Sequence, residues 1–332
     1  MAVVGGRLLT GLVEVTSDLG ALDGGGMWAV VLAFDAPPVC ARFESSALAP
    51  PWEPTDRAPV RPGRAWISSL DREAFRKRVS VIREAIAAGD VYQVNLCRRL
   101  STPLPDDFRP LRLAAALAEG NPAPHAAVVH LPSVGVSVVS ASPERFLRRR
   151  RDLIESEPIK GTARTEAGLT AKDRAENVMI VDLVRNDLGR VCRYGSVEVT
   201  ALCRLEHHPG LVHLVSTVTG RLRPGTGWPE ILTATFPPGS VTGAPKLAAL
   251  GMISALETAP RGVYCGAVGW VDADRGEADL NVAIRTFWVQ DGRLNLGTGG
   301  GITWYSTPEE EWEETELKAA RLLRVANGAL GR

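Results

Sequence analysis

Two pairs of acidic side chains share one spacing: Asp173 with Glu176, and Glu311 with Glu314. Residues three apart lie on one face of a helix, so each pair would present two carboxylates together, and oxygen-only ligands of this kind suit Mg²⁺. Two such helices would clamp one ion between them. The other reading of an isolated acidic pair is a solvated helix face. Lys160 sits in Glu157-Pro158-Ile159-Lys160-Gly161-Thr162, where proline fixes the approach of the chain and glycine lets backbone come close to a ligand. A lysine on such a turn is a nucleophile if desolvation leaves its amine neutral, and otherwise an ordinary surface lysine. Glu144, in Ser142-Pro143-Glu144, is either an acid/base or a loop carboxylate at a strand end.

Two glycine-rich stretches, Gly239 to Lys246 and Gly297 to Ile302, match neither a Walker loop nor a dinucleotide fingerprint. Exposed backbone N–H groups beside missing side chains make carboxylate cradles there, or else the stretches are tight turns. Arg285, flanked by Ile284 and Thr286 in an otherwise apolar run, needs an anionic partner if buried. That partner is a bound carboxylate or an internal acid.

The elements that must position these groups follow from periodicity. Ser69 to Ala88 reads as a helix, capped by Ser69 or Asp71, with Phe75, Val79, Ile82 and Ile86 at helical spacing and Gly89 ending it. Ala171 to Leu188 is a second helix, with Val178, Val181, Val184 and Leu188 as its core positions, and Glu309 to Ala326 closes the chain. A further helix, Pro245 to Leu256, follows a turn at Pro237 to Thr242. Strands are expected at Val91 to Leu96, in two runs between Ala126 and Val139 broken at Pro132-Ser133, and at Val197 to Leu202, Leu211 to Thr219, Val263 to Val271 and Ala278 to Trp288. The order lacks a regular βαβ rhythm, so the expected fold is a mainly antiparallel α+β core. Residues 1–66 read as short strands and loops packed on a catalytic unit of 67–332, with a weak composition shift from Pro59 to Arg64.

Lys+Arg and Asp+Glu balance at 38 each, so net charge gives no reason to expect nucleic acid or an anionic membrane as partner. Five scattered cysteines without a C-x-x-C pair fit a reducing compartment and argue against zinc. No targeting signal or long apolar span is visible, so a cytoplasmic location is expected.

In order along the chain stand Gly89 to Leu96, Ser142-Pro143-Glu144, Pro158 to Thr162, Ala175 to Leu183 with Arg185-Asn186-Asp187, His213 to Ser216, Gly239 to Lys246, Ile284-Arg285-Thr286 and Gly300-Gly301-Ile302 before an acidic closing helix. This series resembles the chorismate-binding family of anthranilate, aminodeoxychorismate, isochorismate and salicylate synthases, from about Leu70 to Leu323. The resemblance implies two packed antiparallel sheets with helices outside and a cleft that binds chorismate beside Mg²⁺. By motif, Glu176 and Glu314 resemble the principal metal ligands, with Asp173 and Glu311 holding metal-bound waters or completing the shell. Tyr264, Arg285 and the backbone at Gly301 resemble the holders of the pyruvyl carboxylate, and Gly300 resembles a further substrate-binding position. Gly161, Thr242 and Lys318 resemble the groups around the ring carboxylate, and His213 the histidine near the leaving oxygen.

Water-adding members resemble one another in placing a lysine where this chain has Gln93, so ammonia is the expected nucleophile. Anthranilate synthases usually show alanine where this chain has Lys160. The Pro-Ile-Lys-Gly-Thr form resembles the aminodeoxychorismate synthase branch, which implies Lys160 as nucleophile, Glu144 as its acid/base partner, and a product on the p-aminobenzoate and folate route. The ammonia is expected from a separate glutamine amidotransferase, since no Cys-His glutaminase constellation is recognisable. The stretch ahead of Leu70 is shorter than the family's, Pro238 stands where glycine is common, and the Thr162 to Asp173 loop is short. Regulatory tryptophan binding is therefore not part of the expectation. Alternatives are anthranilate synthase component I and, in another class, an inactive chorismate-binding subunit; the intact set of acid/base and metal groups argues against the latter.

Overall fold

Phe75, Val79 and Ile82 are fully buried along one stripe of helix α1 (Arg72–Ala88). Asp71 starts the helix by accepting from the Ala74 N–H at 2.8 Å, and Gly89, at φ 85°, stops it. The computed structural model describes residues 1–52, 65–163, 165–208 and 211–329. The boundary expected from Pro59 to Arg64 lies outside them.

The strands are β1 (Ala2–Val4), β2 (Arg7–Thr16), β3 (Met27–Leu32), β4 (Val39–Leu48), β5 (Ile67–Ser68), β6 (Gln93–Pro103), β7 (His125–Leu131), β8 (Val136–Ser142) and β9 (Arg145–Arg150). They continue as β10 (Leu153–Glu157), β11 (Ile159–Ala163), β12 (Glu198–His208), β13 (Leu211–Arg221), β14 (Gly243–Ala244), β15 (Ala267–Asp272), β16 (Glu277–Val282), β17 (Thr286–Gln290) and β18 (Arg293–Ile302). The remaining helices are α2 (Pro110–Gly120), α3 (Ala171–Gly189), α4 (Trp228–Thr235), α5 (Lys246–Leu256) and α6 (Pro308–Ala329).

Every described ladder is antiparallel, as the α+β expectation requires. One half of the sheet runs β12-β13-β10-β9-β16-β15-β3-β4-β2, and the other runs β1-β7-β8-β17-β18-β6. The β1–β2 hairpin joins the halves into one hydrogen-bonded network. Alternation along β7 shows how they stack. Ala127, Val129 and Leu131 point into a large core shared with β3, β9, β15 and β16, whereas Val128 points into a second core with α2 and α6. The second half is thus covered by strands on one face and helices on the other. Segment 1–52 belongs to this architecture, since β3 pairs with β15 from Met27 to Leu32.

Some details differ from the periodicity reading. Val178 is 48% exposed; the buried stripe of α3 is Asn177, Ile180, Val181, Val184 and Leu188, because Asn177 turns inward to donate to the Leu214 carbonyl at 3.1 Å. The apolar run Ala278 to Trp288 is two strands, β16 and β17, interrupted at Arg285, whose φ is 50°. Val263 lies within a turn, and its strand starts only at Ala267. Gly297 to Ile302 is the end of strand β18 and not a turn. No helix among the described residues is long and apolar enough to cross a membrane.

Candidate active site

The sequence-selected groups converge on a cleft of about 480 Å³, within the usual range for small-molecule sites. Lys160 and Gly161 come from β11, His213 from the facing register of β13, Asp173 and Glu176 from α3, and Glu311, Glu314 and Lys318 from α6. Glu144 from the β8–β9 turn, Tyr264, Arg285 and Gly301 complete the set. Gly300 sits just behind this wall, where a Cβ would stand 2.8 Å from a Glu311 carboxylate oxygen. Thr242 does not line the cleft. It is fully buried, with its hydroxyl 3.2 and 3.3 Å from the Pro238 and Gly239 carbonyls, and its neighbours Ser240 and Val241 form the wall instead.

Local structure explains these placements. Thr170 and Asp173 form a capping box at the start of α3: the Thr170 N–H and hydroxyl donate to one Asp173 oxygen at 2.8 and 2.6 Å. Asp173 therefore has one oxygen committed to the helix start. Gly161, at φ 81°, would put a Cβ 2.8 Å from the Asp173 side chain, so β11 and α3 meet this closely only through glycine. Under the Tyr264 ring lies Gly297, where any Cβ would come within 2.0 Å of the ring. Arg261 braces the wall from behind. Its guanidinium is held by Glu257 and donates to the Asn95 and Val241 carbonyls at 2.8 and 2.9 Å.

Charge is distributed unevenly. Among the described residues no carboxylate pairs with Arg285, which leaves the bound-anion reading of that residue in place; burial, and then Arg321, lower its pKa. Glu144 is 4% exposed, and burial pushes its pKa up to about 7 against opposing effects of Ser240, Lys160 and the Ile159 amide. Burial likewise raises Glu176 and Glu311. Burial also acts upward on Glu314, but Lys318, 2.6 Å away, and other lysines bring it below the ordinary value. Lys318 also donates to the Gly299 carbonyl at 2.9 Å.

The carboxylates suit a hard cation in chemistry. One Glu311 oxygen accepts from Ser306 at 2.5 Å, while the other is buried without a partner beside Gly300. Among the described residues, no three His, Cys, Asp or Glu side chains converge tightly enough to form a ready-made metal cage.

Periodicity and motif reading passed over Lys172, which lines the cleft 3.8 Å from Glu176, and Ser240. The i,i+4 spacing of Lys172 and Glu176 was an available signal. Gln93 is fully buried with neither amide atom hydrogen-bonded, and its Nε2 lies 2.7 Å from where a Gly301 Cβ would stand. Lys246 is occupied away from the cleft, donating to Asp187 at 2.5 Å and to the Pro237 carbonyl at 3.0 Å.

Antiparallel strand layers with outer helices bring the acid-bearing α3 and α6 to one cleft with Arg285. The chain belongs to the chorismate binding enzyme family, whose pattern matches residues 37–324. It is 39% identical over 312 residues to an anthranilate synthase component 1 of Haloarcula marismortui, covering 90% of this chain and 61% of that protein. It is 41% identical over 290 residues to an aminodeoxychorismate synthase of Streptomyces griseus, covering 83% and 39% respectively. The chain thus spans less than two thirds of the length of these relatives. The structure of anthranilate synthase component I from Streptococcus pneumoniae superposes with a TM-score of 0.77 at 26% identity, covering 90% of this chain and 80% of that one.

Proposed function

We propose that this chain converts chorismate and ammonia to 4-amino-4-deoxychorismate, as the synthase component served by a separate glutamine amidotransferase. The observation that carries the reading is Lys160 on β11, in the cleft wall and electrostatically coupled to the buried Glu144 carboxyl. Arg285 and Tyr264 would hold the pyruvyl carboxylate. Lys318 and the Gly161 backbone would hold the ring carboxylate. Glu176 and Glu314, with Glu311 and Asp173, would hold Mg²⁺, which would supply charge compensation for a dicarboxylate substrate.

In this reading the Lys160 amine attacks C2 while the C4 hydroxyl leaves, Glu144 giving that oxygen its proton. Ammonia then bonds to C4 as the C2–lysine bond breaks, and the Glu144 carboxylate takes the proton that the new amine sheds. A carboxyl titrating near neutrality suits both directions. His213, buried in the cleft wall, would stand on the leaving-group side in this reading.

Anthranilate formation is the second reading, favoured by the 39% identity to the Haloarcula protein. Incubation of the purified chain with chorismate, MgCl₂ and an ammonium salt, with products identified by mass spectrometry, separates the two. The aminodeoxychorismate reading expects a product that retains the pyruvyl group; release of pyruvate with anthranilate overturns it.

A further inference from the structure

Glu144 and Ser240 stand in two walls at once. Both line the large cleft, and both line a small cavity of about 20 Å³ behind it. That volume holds one water and nothing larger. Ser156 and Asp187 also line it, among apolar residues from β9, α3 and β16. Ser240 is 5% exposed, and its hydroxyl faces the Glu144 carboxyl without reaching standard hydrogen-bond geometry to any described group. A buried hydroxyl calls for a partner, and in this position it can donate to the carboxyl in front and accept from a small polar molecule behind.

We propose that Ser240 is a positioning residue for Glu144, holding its carboxyl at the partition while bonded on the other side to a single water in the cavity. The proposal rests on the reading of Glu144 as the acid/base. It adds the group that sets where this carboxyl points and where it titrates. The tripeptide Ser-Val-Thr in the 239–246 stretch thereby has a chemical use beyond its turn, since Val241 forms cleft wall and Thr242 ties the loop to its own carbonyls.

The charged groups around Glu144 leave Ser240 as the adjustable one. Lys160 faces it from β11, and Arg285 and His213 line the same cleft. Across the cavity Asp187 is held by Lys246, and Arg145, next in the chain, is held by Asp279 and Glu157. Replacing Ser240 changes none of these charges. A Ser240 hydroxyl turned toward the Glu144 carboxylate favours its charged form, so its removal should move the titration upward.

The test reads Glu144 directly by infrared titration of protein labelled with ¹³C-carboxyl glutamate, with Glu144→Gln identifying the band. Ser240→Ala should raise the Glu144 midpoint by about one pH unit, and Ser240→Cys, a weaker donor of similar size, by less. The same shift should appear in the pH profile of kcat, with KM for chorismate little changed. A high-resolution crystal structure should show one water against Ser240 Oγ in the cavity. An unmoved midpoint in both folded variants, or a dry cavity, overturns the proposal. Because the infrared titration needs no turnover, its outcome is independent of which product the enzyme makes.

Discussion

Replacing Glu144 by glutamine should make the protein's stability less sensitive to pH. The carboxyl titrates near 4.5 in an unfolded chain and near 7 in the fold, chiefly because burial disfavours its charge. The folded value is the raised one, so the stability this group contributes is complete below the unfolded value and is lost as pH rises toward the folded value. Between about pH 5 and about pH 8 the loss is on the order of 2–3 kcal/mol, taking 1.36 kcal/mol per unit of pKa difference. Glu144→Gln keeps the shape and removes the titration, so its stability relative to the wild type should climb by that amount over the interval. Urea unfolding of both proteins in magnesium-free buffer, followed by tryptophan fluorescence, measures the difference at each pH, and every other titrating group cancels. A difference that stays flat across the interval would show that Glu144 is not held in a charge-averse environment, and its acid/base role would lose its physical basis.

Lys160→Ala should lose most 4-amino-4-deoxychorismate formation while still binding chorismate, and the wild type given chorismate and Mg²⁺ without ammonia should show an adduct on the Lys160 peptide by mass spectrometry. Wild-type amination by the variant would refute the covalent route. Glu176→Gln and Glu314→Gln should abolish Mg²⁺ binding in calorimetry and turnover together without lowering the melting temperature, whereas full turnover after exhaustive chelation would remove Mg²⁺ from the scheme. Gly297→Ala should displace the Tyr264 ring, costing about 1–3 kcal/mol in overpacking and raising KM for chorismate, both read from unfolding curves and steady-state kinetics.

Helices α1, α3 and α6 were legible because each carries a long helical repeat, and α1 and α3 also carry an acidic or hydroxyl cap. Strand β9 was not: Arg145 and Arg148 to Arg150 leave it only Phe146 and Leu147 as apolar members, and its identity comes from lying between β10 and β16. Helices α2 and α4 were missed for a related reason, since their short apolar runs make sense only once they are seen lying against other elements. The site was legible as a set of ordered motifs. What the chain could not display in one dimension was the company each residue keeps: Ser240 beside Glu144, Arg261 behind Asn95, or Thr242 turned away from the cleft.

The end of β18 carries a design consequence. From Gly297 to Gly301 the strand bears a single side chain, Thr298, whose hydroxyl is tied to the Thr315 carbonyl. The cleft floor is therefore nearly bare polypeptide, and the Tyr264 ring, the Glu311 carboxylate and the Gln93 amide press against it from three different elements. An engineer seeking a new substrate finds almost nothing on the floor to exchange. Selectivity must be rewritten in the walls, where changing one residue leaves the ladder that supports the others untouched.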